Sequence, residues 1–552
     1  MLINLSSTSY LLEKNNNWNY LHNAKSIKFS KYGDIFSLDK DNKISININL
    51  LFLADIINFE SAKKYNLEIK KINLLLKKIK TKLIINQKPI IVGISSYVYN
   101  NIIESAQNQN IYKKLKFFFL DQLYKLAEKN KNLYILDIDE IFSLNGIEKC
   151  FDNRNYYLSR CRISSIGIEI IAKNLKKLID RINQPNKKVL LLDCDNTLWG
   201  GVIAEDGISK IKIGEEGEGL AFYEFQKAIK KLKDQGVIII LVSKNIKKDV
   251  FKVFKEHRSM ILKQKDIGAY KINWLDKSKN IQDISKELNL NMDSFVFWDD
   301  NPIEREKVRI RLKNVEVIEP DEDISNWSKQ LLEYDKFSKF SFTENDYNRT
   351  KQYQIRHKFI NDKKNYKSEI DYLKSIKIKL KIVKINNGNI DRAVQMCQRT
   401  NQFNTSSKRY NHDELSDLNK KNKCFMVHMK DIYGDHGLIS LVCLKLKPEK
   451  ILLLDTFLIS CRILGRYSEN WILNEILTIV KKNKINKLIA EFTPTKKNDI
   501  AKNFLTENNF KKISGRILSK NKKMFKLMNF PKKTELFLYE DKEKIKYLNV
   551  YA

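Results

Sequence analysis

Between residues 189 and 318, short apolar runs alternate with longer stretches in which apolar positions recur every three to four residues. The runs 189–192, 237–242 and 295–298 are apolar at successive positions, as strands covered on both faces are, and 315–318 is apolar but for Glu316. The stretches 220–235, 247–257 and 278–289 each carry one apolar stripe, which predicts surface helices; Gly236 ends the first, and Pro302 opens a further helix at its first turn. Strand and helix in alternation, with short connections, predict a doubly wound parallel sheet with right-handed crossovers. Residues 1–184 read as a separate α/β unit, with strands at 46–57, 89–94 and 132–138 and amphipathic helices at 111–129 and 166–182. Residues 341–552 read as an α+β domain, with strands at 376–385, 424–429, 438–446, 451–459 and 487–492 and helices at 391–399, 468–482 and 498–507. Tyr433-Gly-Asp-His-Gly437 marks a hairpin between two of those strands. The polar run 183–188, in which Pro185 stops the preceding helix, is the clearest linker, so the expected domains are 1–184, 185–340 and 341–552.

A chain of 552 residues exceeds a single core, and 43% hydrophobic residues supply enough to bury. The 101 Lys and Arg against 66 Asp and Glu give a formal charge of +35. These cations are spread over the whole length among Asn and Ile, which argues against a dedicated nucleic-acid face. They favour acidic partners, including phosphorylated metabolites and acidic carrier proteins. Seven cysteines form no Cys-x-x-Cys pair and suit a reducing compartment. With no signal-like start and no apolar run of about 18 residues, the expectation is a cytoplasmic protein without a membrane partner.

The chemistry gathers where the strands of the middle region end. Val189–Leu192 deliver Asp193 and Asp195, two carboxylates one residue apart, which repel unless a cation or proton is shared. That pair suits Mg²⁺ and phosphoryl chemistry, with Asp193 as nucleophile and Asp195 as general acid and base. Ser243 ends the second strand and can donate to a phosphoryl oxygen, and Lys277 opens a helix and can neutralise charge. Asp299 and Asp300 can complete an oxygen-rich metal shell with Asp193 and Asp195. Taken singly, each has an ordinary reading as a cap or a solvated lysine; together, each at a strand end or helix start, they do not. The first 184 residues show no such set: their one histidine is His22, and Ser95, Ser96 and Ser159 have no evident base.

These residues resemble the four motifs of the haloacid dehalogenase (HAD) superfamily of Mg²⁺-dependent phosphotransferases, and more closely its FkbH-like branch. The resemblance rests on Asp193-Cys-Asp-Asn-Thr-Leu-Trp-Gly-Gly-Val202, Ser243-Lys-Asn245, Lys271-Ile-Asn-Trp274, Lys277-Ser-Lys-Asn280 and Asp299-Asp-Asn-Pro302. It implies a Rossmann-like HAD domain of the capless subclass IIIC, flanked by an SGNH-like or other α/β domain and a C-terminal GNAT-like domain. The gaps of 50 residues from Asp193 to Ser243 and 34 from Ser243 to Lys277 leave no room for an inserted cap, so the site is open to a bulky substrate or is closed by another domain. Gln398–Asn404, Gly434–Ile439 and Asp455–Arg466 are similar to the GNAT-like domain of FkbH proteins. Arg462-Ile-Leu-Gly-Arg466 could offer backbone N–H groups to phosphates of coenzyme A or phosphopantetheine, although Tyr467 stands where a small residue is expected. Arg399, Asn401, Asp435, His436, Arg462 and Gly465 are the candidate acyl- or pantetheine-binding residues.

The resemblance implies an enzyme that takes a glyceryl unit from 1,3-bisphosphoglycerate, a phosphorylated three-carbon acid, and loads it as a thioester on an acyl carrier protein. Cys194 and Cys461 are the candidate acyl thiols, Cys461 the better placed electrostatically because it adjoins Arg462. Two other readings stand beside it: a plain phosphatase acting on a phosphosugar or other phosphorylated metabolite, and a non-catalytic docking module of a biosynthetic assembly.

Overall fold

The computed structural model describes residues 2–11, 16–21, 26–30, 44–56, 65–85, 88–97, 111–184, 186–337, 348–495, 497–513, 533–540 and 550–551. His22, Pro185 and the expected boundary at 340/341 lie outside these residues. The chain divides into two compact units, Met1–Pro185 and Asn186–Ala552.

In the first unit, β1 (Leu2–Ser7), β2 (Ser26–Phe29), β3 (Ile44–Phe52), β4 (Ile90–Ser95) and β5 (Leu133–Asp137) form a parallel sheet in the order β2-β1-β3-β4-β5. The expected strand 46–57 stops at Phe52, where the Phe52 N–H donates to Thr8 Oγ1 at 2.7 Å, and Leu53–Ile56 form a helical turn. Ser95 and Ser96 do find a partner: both hydroxyls donate to Asp139, at 2.6 and 2.7 Å, and Lys116 joins Asp139 to Asp137 at 2.9 Å each. Burial would raise the Asp139 pKa, but the hydrogen bonds from Ser95 and Ser96 and the Lys116 charge outweigh it and hold it low. A carboxylate so saturated is a brace, not a base. Ser159 spends its hydroxyl on the Asn155 carbonyl at 2.8 Å.

The second unit begins with β6 (Val189–Leu192), β7 (Ile238–Ser243), β8 (Ile267–Ile272), β9 (Phe295–Trp298) and β10 (Glu316–Val317), a parallel sheet in the order β10-β9-β6-β7-β8. The doubly wound architecture expected of residues 185–340 is what this sheet has. Its two faces are separately buried: Leu190 and Leu192 pack with Phe225 and Trp298, Val189 and Leu191 with Ile281 and Phe297. Those four successive buried residues are the physical content of the apolar run. Because β6 is central, its carboxyl end lies between those of β7 and β9.

The last sheet runs β11 (Lys379–Lys384), then β13 (Lys423–Asp431), β14 (Gly434–Lys447), β15 (Ile451–Ile459), β16 (Lys487–Phe492), β18 (Glu535–Tyr539) and β17 (Phe510–Lys512), with β12 (Phe403–Asn404) beside β15. It is antiparallel except for β15 and β16, which pair only from Ile451 to Leu454. Beyond that point the strands part, and Lys408 links Asp455 to Glu491 at 2.5 Å and a second close contact, with Tyr410 on Asp455 at 2.6 Å. The hairpin turn falls at Ile432 and Tyr433, just ahead of the expected glycines, which already belong to β14. The helix Arg349–Lys363 packs on β8 and also on the loop after β15, tying the two sheets of this unit together.

Candidate active site

Everything turns on how the chain leaves β6. Strand alternation would put Asp193 and Asp195 on one face, but the strand ends at Leu192 and Asn196 adopts a left-handed conformation, φ 51°. The turn is closed by the Asn196 side chain, which accepts from the Gly201 N–H at 2.8 Å. Glycine is required at two successive positions: a Cβ on Gly200 would stand 2.7 Å from the Phe222 ring, and Gly201 has φ 96°.

Asp193 and Asp195 therefore part company. Asp193, Asp299 and Asp300 bring one carboxylate oxygen each within 4.8 Å of one another. Lys277, buried at the first turn of the helix Lys277–Leu288, stands 3.0 Å from Asp193 Oδ2 and 2.6 Å from Asp299 Oδ2. Asp195 lies outside that cluster. Its Oδ1 accepts from Trp199 Nε1 at 2.9 Å and the Ile203 N–H at 3.1 Å, and its Oδ2 from Asn245 Nδ2 at 2.8 Å. The expectation that its carboxylate joins the metal shell is not what the geometry gives. Burial raises the Asp195 pKa despite those donors, which favours a proton-carrying role.

Ser243 is buried at the end of β7, the strand beside β6, as expected. Cys194 is fully buried within the apolar cluster of Leu192 and Trp298, and burial, then the Asp193 charge, raises its thiol well above the ordinary value. A thiol there stays protonated. The sequence did not single out Thr197, whose hydroxyl donates to Asp300 Oδ1 at 3.1 Å, or Arg305, whose guanidinium donates to the Asp299 and Asp300 carbonyls at 2.9 and 2.7 Å. Asn245 carried a signal, standing two residues past Ser243.

The donor set fits a hard cation. Asp193 Oδ1 is buried with no hydrogen-bond partner, facing a centre of three carboxylates and one ammonium. Burial, then the Asp193 charge, pushes Asp299 up to about 7, whereas burial of Lys277 is outweighed by Asp193 and Asp299, which raise it. Ionising Asp299 is then coupled to metal binding. The apparent Mg²⁺ affinity is expected to rise about tenfold between pH 6 and pH 8, because the proton that competes at Asp299 is lost over that range. Calorimetric Mg²⁺ titrations at pH 6, 7 and 8 check this; an affinity flat across the range removes Asp299 from the metal shell.

The N-terminal part of the protein BF1531 from Bacteroides fragilis, containing a phosphatase domain and solved with Mg, is 26% identical over 62% of this chain and 95% of its own, with a TM-score of 0.52. The chain shares that fold. A GNAT-family acetyltransferase from Staphylococcus aureus Mu50 aligns with 29% of this chain and 97% of its own at 11% identity and a TM-score of 0.23. The ribosomal-protein-S18-alanine N-acetyltransferase from Escherichia coli aligns with 30% and 99% at 8% identity and a TM-score of 0.22. No family model and no curated protein matches the chain. Among the described residues no helix is long and apolar enough to cross a membrane.

Of the six residues expected to bind an acyl or pantetheine group, Arg462 and His436 meet directly, and Arg399 and Arg462 both act electrostatically on Arg392. Asn401 accepts from Arg409; Asp435 is on the hairpin, 2.8 Å from His428 and 3.1 Å from Lys430; His436 faces Asp431 at 2.9 Å. Arg462 donates to Gln352 at 2.6 Å and to the His436 carbonyl at 3.1 Å, Gly465 is exposed with φ 91°, and Arg399 is exposed at a helix end. The carbonyls of Cys461, Arg462 and Leu464 all accept from the Arg356 guanidinium, at 3.3, 2.9 and 3.1 Å. Glu469, a carboxylate, occupies the first turn of the following helix and raises the cost of an anion there.

Proposed function

We propose that the chain is a Mg²⁺-dependent, HAD-type enzyme that transfers a glyceryl unit from 1,3-bisphosphoglycerate to an acyl carrier protein in polyketide or surface-polysaccharide biosynthesis. The observation that carries the phosphoryl chemistry is the buried Lys277 ammonium between Asp193 and Asp299, beside Asp300 and the unpartnered Asp193 Oδ1. Asp193, Asp299 and Asp300 would hold the metal, which supplies charge neutralisation for the phosphoryl oxygens. Asp193 attacks the phosphorus of the 3-phosphate, the P–O bond to the sugar-acid oxygen breaks, and Asp195 gives that oxygen its proton. Water, losing a proton to Asp195, then releases phosphate from Asp193. Lys277 holds phosphoryl charge throughout. At the other end, the carrier's phosphopantetheine thiol displaces the C1 acyl phosphate. One bisphosphoglycerate, one thiol and one water thus give one glyceryl thioester and two phosphates.

The likeness to the N-terminal part of BF1531, which contains a phosphatase domain, supports a second reading: a phosphatase that needs no carrier, acting on a phosphosugar or other phosphorylated metabolite. A docking module with a decayed centre is disfavoured, since Asp193, Asp195, Lys277, Asp299 and Asp300 are all present and tightly organised. The discriminating experiment is intact-mass analysis of the enzyme and a holo carrier protein after incubation with Mg²⁺ and fresh 1,3-bisphosphoglycerate. A glyceryl-sized increment on the carrier supports the transfer; phosphate release with a competent carrier left unmodified leaves the phosphatase.

A further inference from the structure

Between β8 and the helix Arg349–Lys363 lies a cavity of about 660 Å³ that none of the catalytic carboxylates lines. Among the described residues β8 is the outer strand of its sheet, and it is this helix that packs along it. Buried Ile267, Ala269 and Ile272 form the floor, with His357 of the helix beside them. Half-buried Phe251 and Tyr270 give an aromatic wall, their rings 4.9 Å apart at 73°. Lys247, Gln264, Lys358 and Asn365 stand exposed at the rim. A run of contacts crosses the cavity: Lys247 lies over the Tyr270 ring at 4.8 Å, Tyr270 meets the His357 ring edge-on at 4.8 Å, and the Asn361 amide reaches His357 Nε2 at 3.1 Å.

The decisive group is His357. An amide N–H can only donate, so His357 Nε2 accepts from Asn361 and the ring proton sits on Nδ1. That Nδ1 is buried with no hydrogen-bond partner among the described residues, and the residue is only 7% exposed. Buried donors are rarely left so, and an acceptor held in the cavity would satisfy this one. Burial, reinforced by Lys271, Lys364 and Lys247 against the opposing Glu287, lowers the ring to about 4, so at pH 7 it offers a neutral N–H. The rim lysines carry the charge: Lys247 lies over Tyr270 and Lys358 over Tyr433 at 5.8 Å, neither on a carboxylate among the described residues. Lys271, by contrast, is held by Glu287 at 2.8 Å, and Asp362 accepts from the Tyr433 hydroxyl at 2.7 Å. The volume lies within the roughly 300–1,000 Å³ of sites that take drug-sized ligands, more than a three-carbon acid needs.

We propose that this cavity binds a nucleotide, with its base on the Phe251 and Tyr270 wall, a base acceptor on His357 Nδ1, and its phosphates on Lys247 and Lys358. An aromatic wall suits a planar ring, and Gln264, Asn361 and Asn365 carry amides of the kind that pair with base edges. The two rim ammonium groups suit phosphate oxygens. The site is separate from the Asp193 centre and rests on no reading of the reaction there. It adjoins that centre through Asn273, which lines the cavity, donates its N–H to the Ser243 carbonyl at 3.1 Å and pairs its amide with Asn280 at 3.2 and 2.9 Å.

The test is calorimetric titration of the full chain with ADP, GDP, CDP and UDP, and with pyrophosphate, in EDTA so that no metal-dependent turnover intervenes. At least one nucleoside diphosphate should bind with a Kd below about 100 μM and at least about tenfold more tightly than pyrophosphate. Lys247→Glu and Lys358→Glu should each weaken that binding at least about tenfold, as should His357→Phe, which keeps a ring and removes the Nδ1 donor. Both lysines are exposed, so their variants test the site even where the buried His357→Phe fails to fold. Asp193→Asn should bind as the parent does. Pyrophosphate binding as tight as that of the nucleotides marks mere attraction to a chain of charge +35 and overturns the proposal. So do an absence of binding by all four nucleotides, binding that survives both lysine variants or a folded His357→Phe, and binding that is lost in Asp193→Asn.

Discussion

Asp193→Asn is expected to lower Mg²⁺-dependent hydrolysis of p-nitrophenyl phosphate by about 10⁴-fold, a loss of about 5.5 kcal/mol of transition-state stabilisation. The substitution removes the nucleophilic oxygen and one of the three anionic oxygens of the metal cluster. It costs little in fold, since Lys277 retains Asp299 at 2.6 Å and the repulsion among the carboxylates falls. Circular dichroism and thermal melting should therefore match the parent while turnover collapses. A folded Asp193→Asn protein that keeps most of its turnover would remove Asp193 from the chemistry.

The central strands β6, β7 and β9 were legible because they are buried on both faces, so that each shows as an apolar run, and because a polar motif falls where each run ends. What the sequence could not show was direction within a motif. Asp195 two residues after Asp193 looks like a partner ligand, and the left-handed Asn196 turns it instead towards Trp199, Ile203 and Asn245. In the first unit, β1 is buried on both faces, Ile3 and Leu5 in the apolar core on one and Asn4 and Ser6 on the other, where Asn4 donates to Asn47 at 3.4 Å and Ser6 to Asn49 at 2.8 Å; it therefore lacks the unbroken apolar run that marks the central strands of the middle sheet. The helix Arg349–Lys363 was hidden for a related reason. It lies between two sheets and buries Thr350, Tyr353, Arg356, His357 and Phe359, so no single apolar stripe announces it. Nor does the sequence reveal that the loop carbonyls of Cys461, Arg462 and Leu464 are held by Arg356, which lies more than a hundred positions earlier.

That arginine is the basis of the largest expected stability effect. Arg356 donates through Nε to the Glu287 carbonyl at 2.8 Å and through Nη1 to the carbonyls of Cys461, Arg462 and Leu464. Glu287 is in the last turn of the helix Lys277–Leu288, where carbonyls lack partners and a cation is favoured. Burial, then repulsion from Arg466, lowers Arg356 to about 10, so it remains charged at neutral pH. Arg356→Ala strands carbonyls on both sides of the contact and opens a hole beneath the loop, with an expected cost of about 3–5 kcal/mol. Lysine should not rescue it, since a compact ammonium cannot reach carbonyls spread around a planar guanidinium. The helix it belongs to also ties the phosphatase-type sheet to the last sheet, so calorimetry of Arg356→Ala should show the melting of the second unit lowered and split, with separate transitions for the two sheets. A midpoint and cooperativity unchanged from the parent would mean that Arg356 does not couple them.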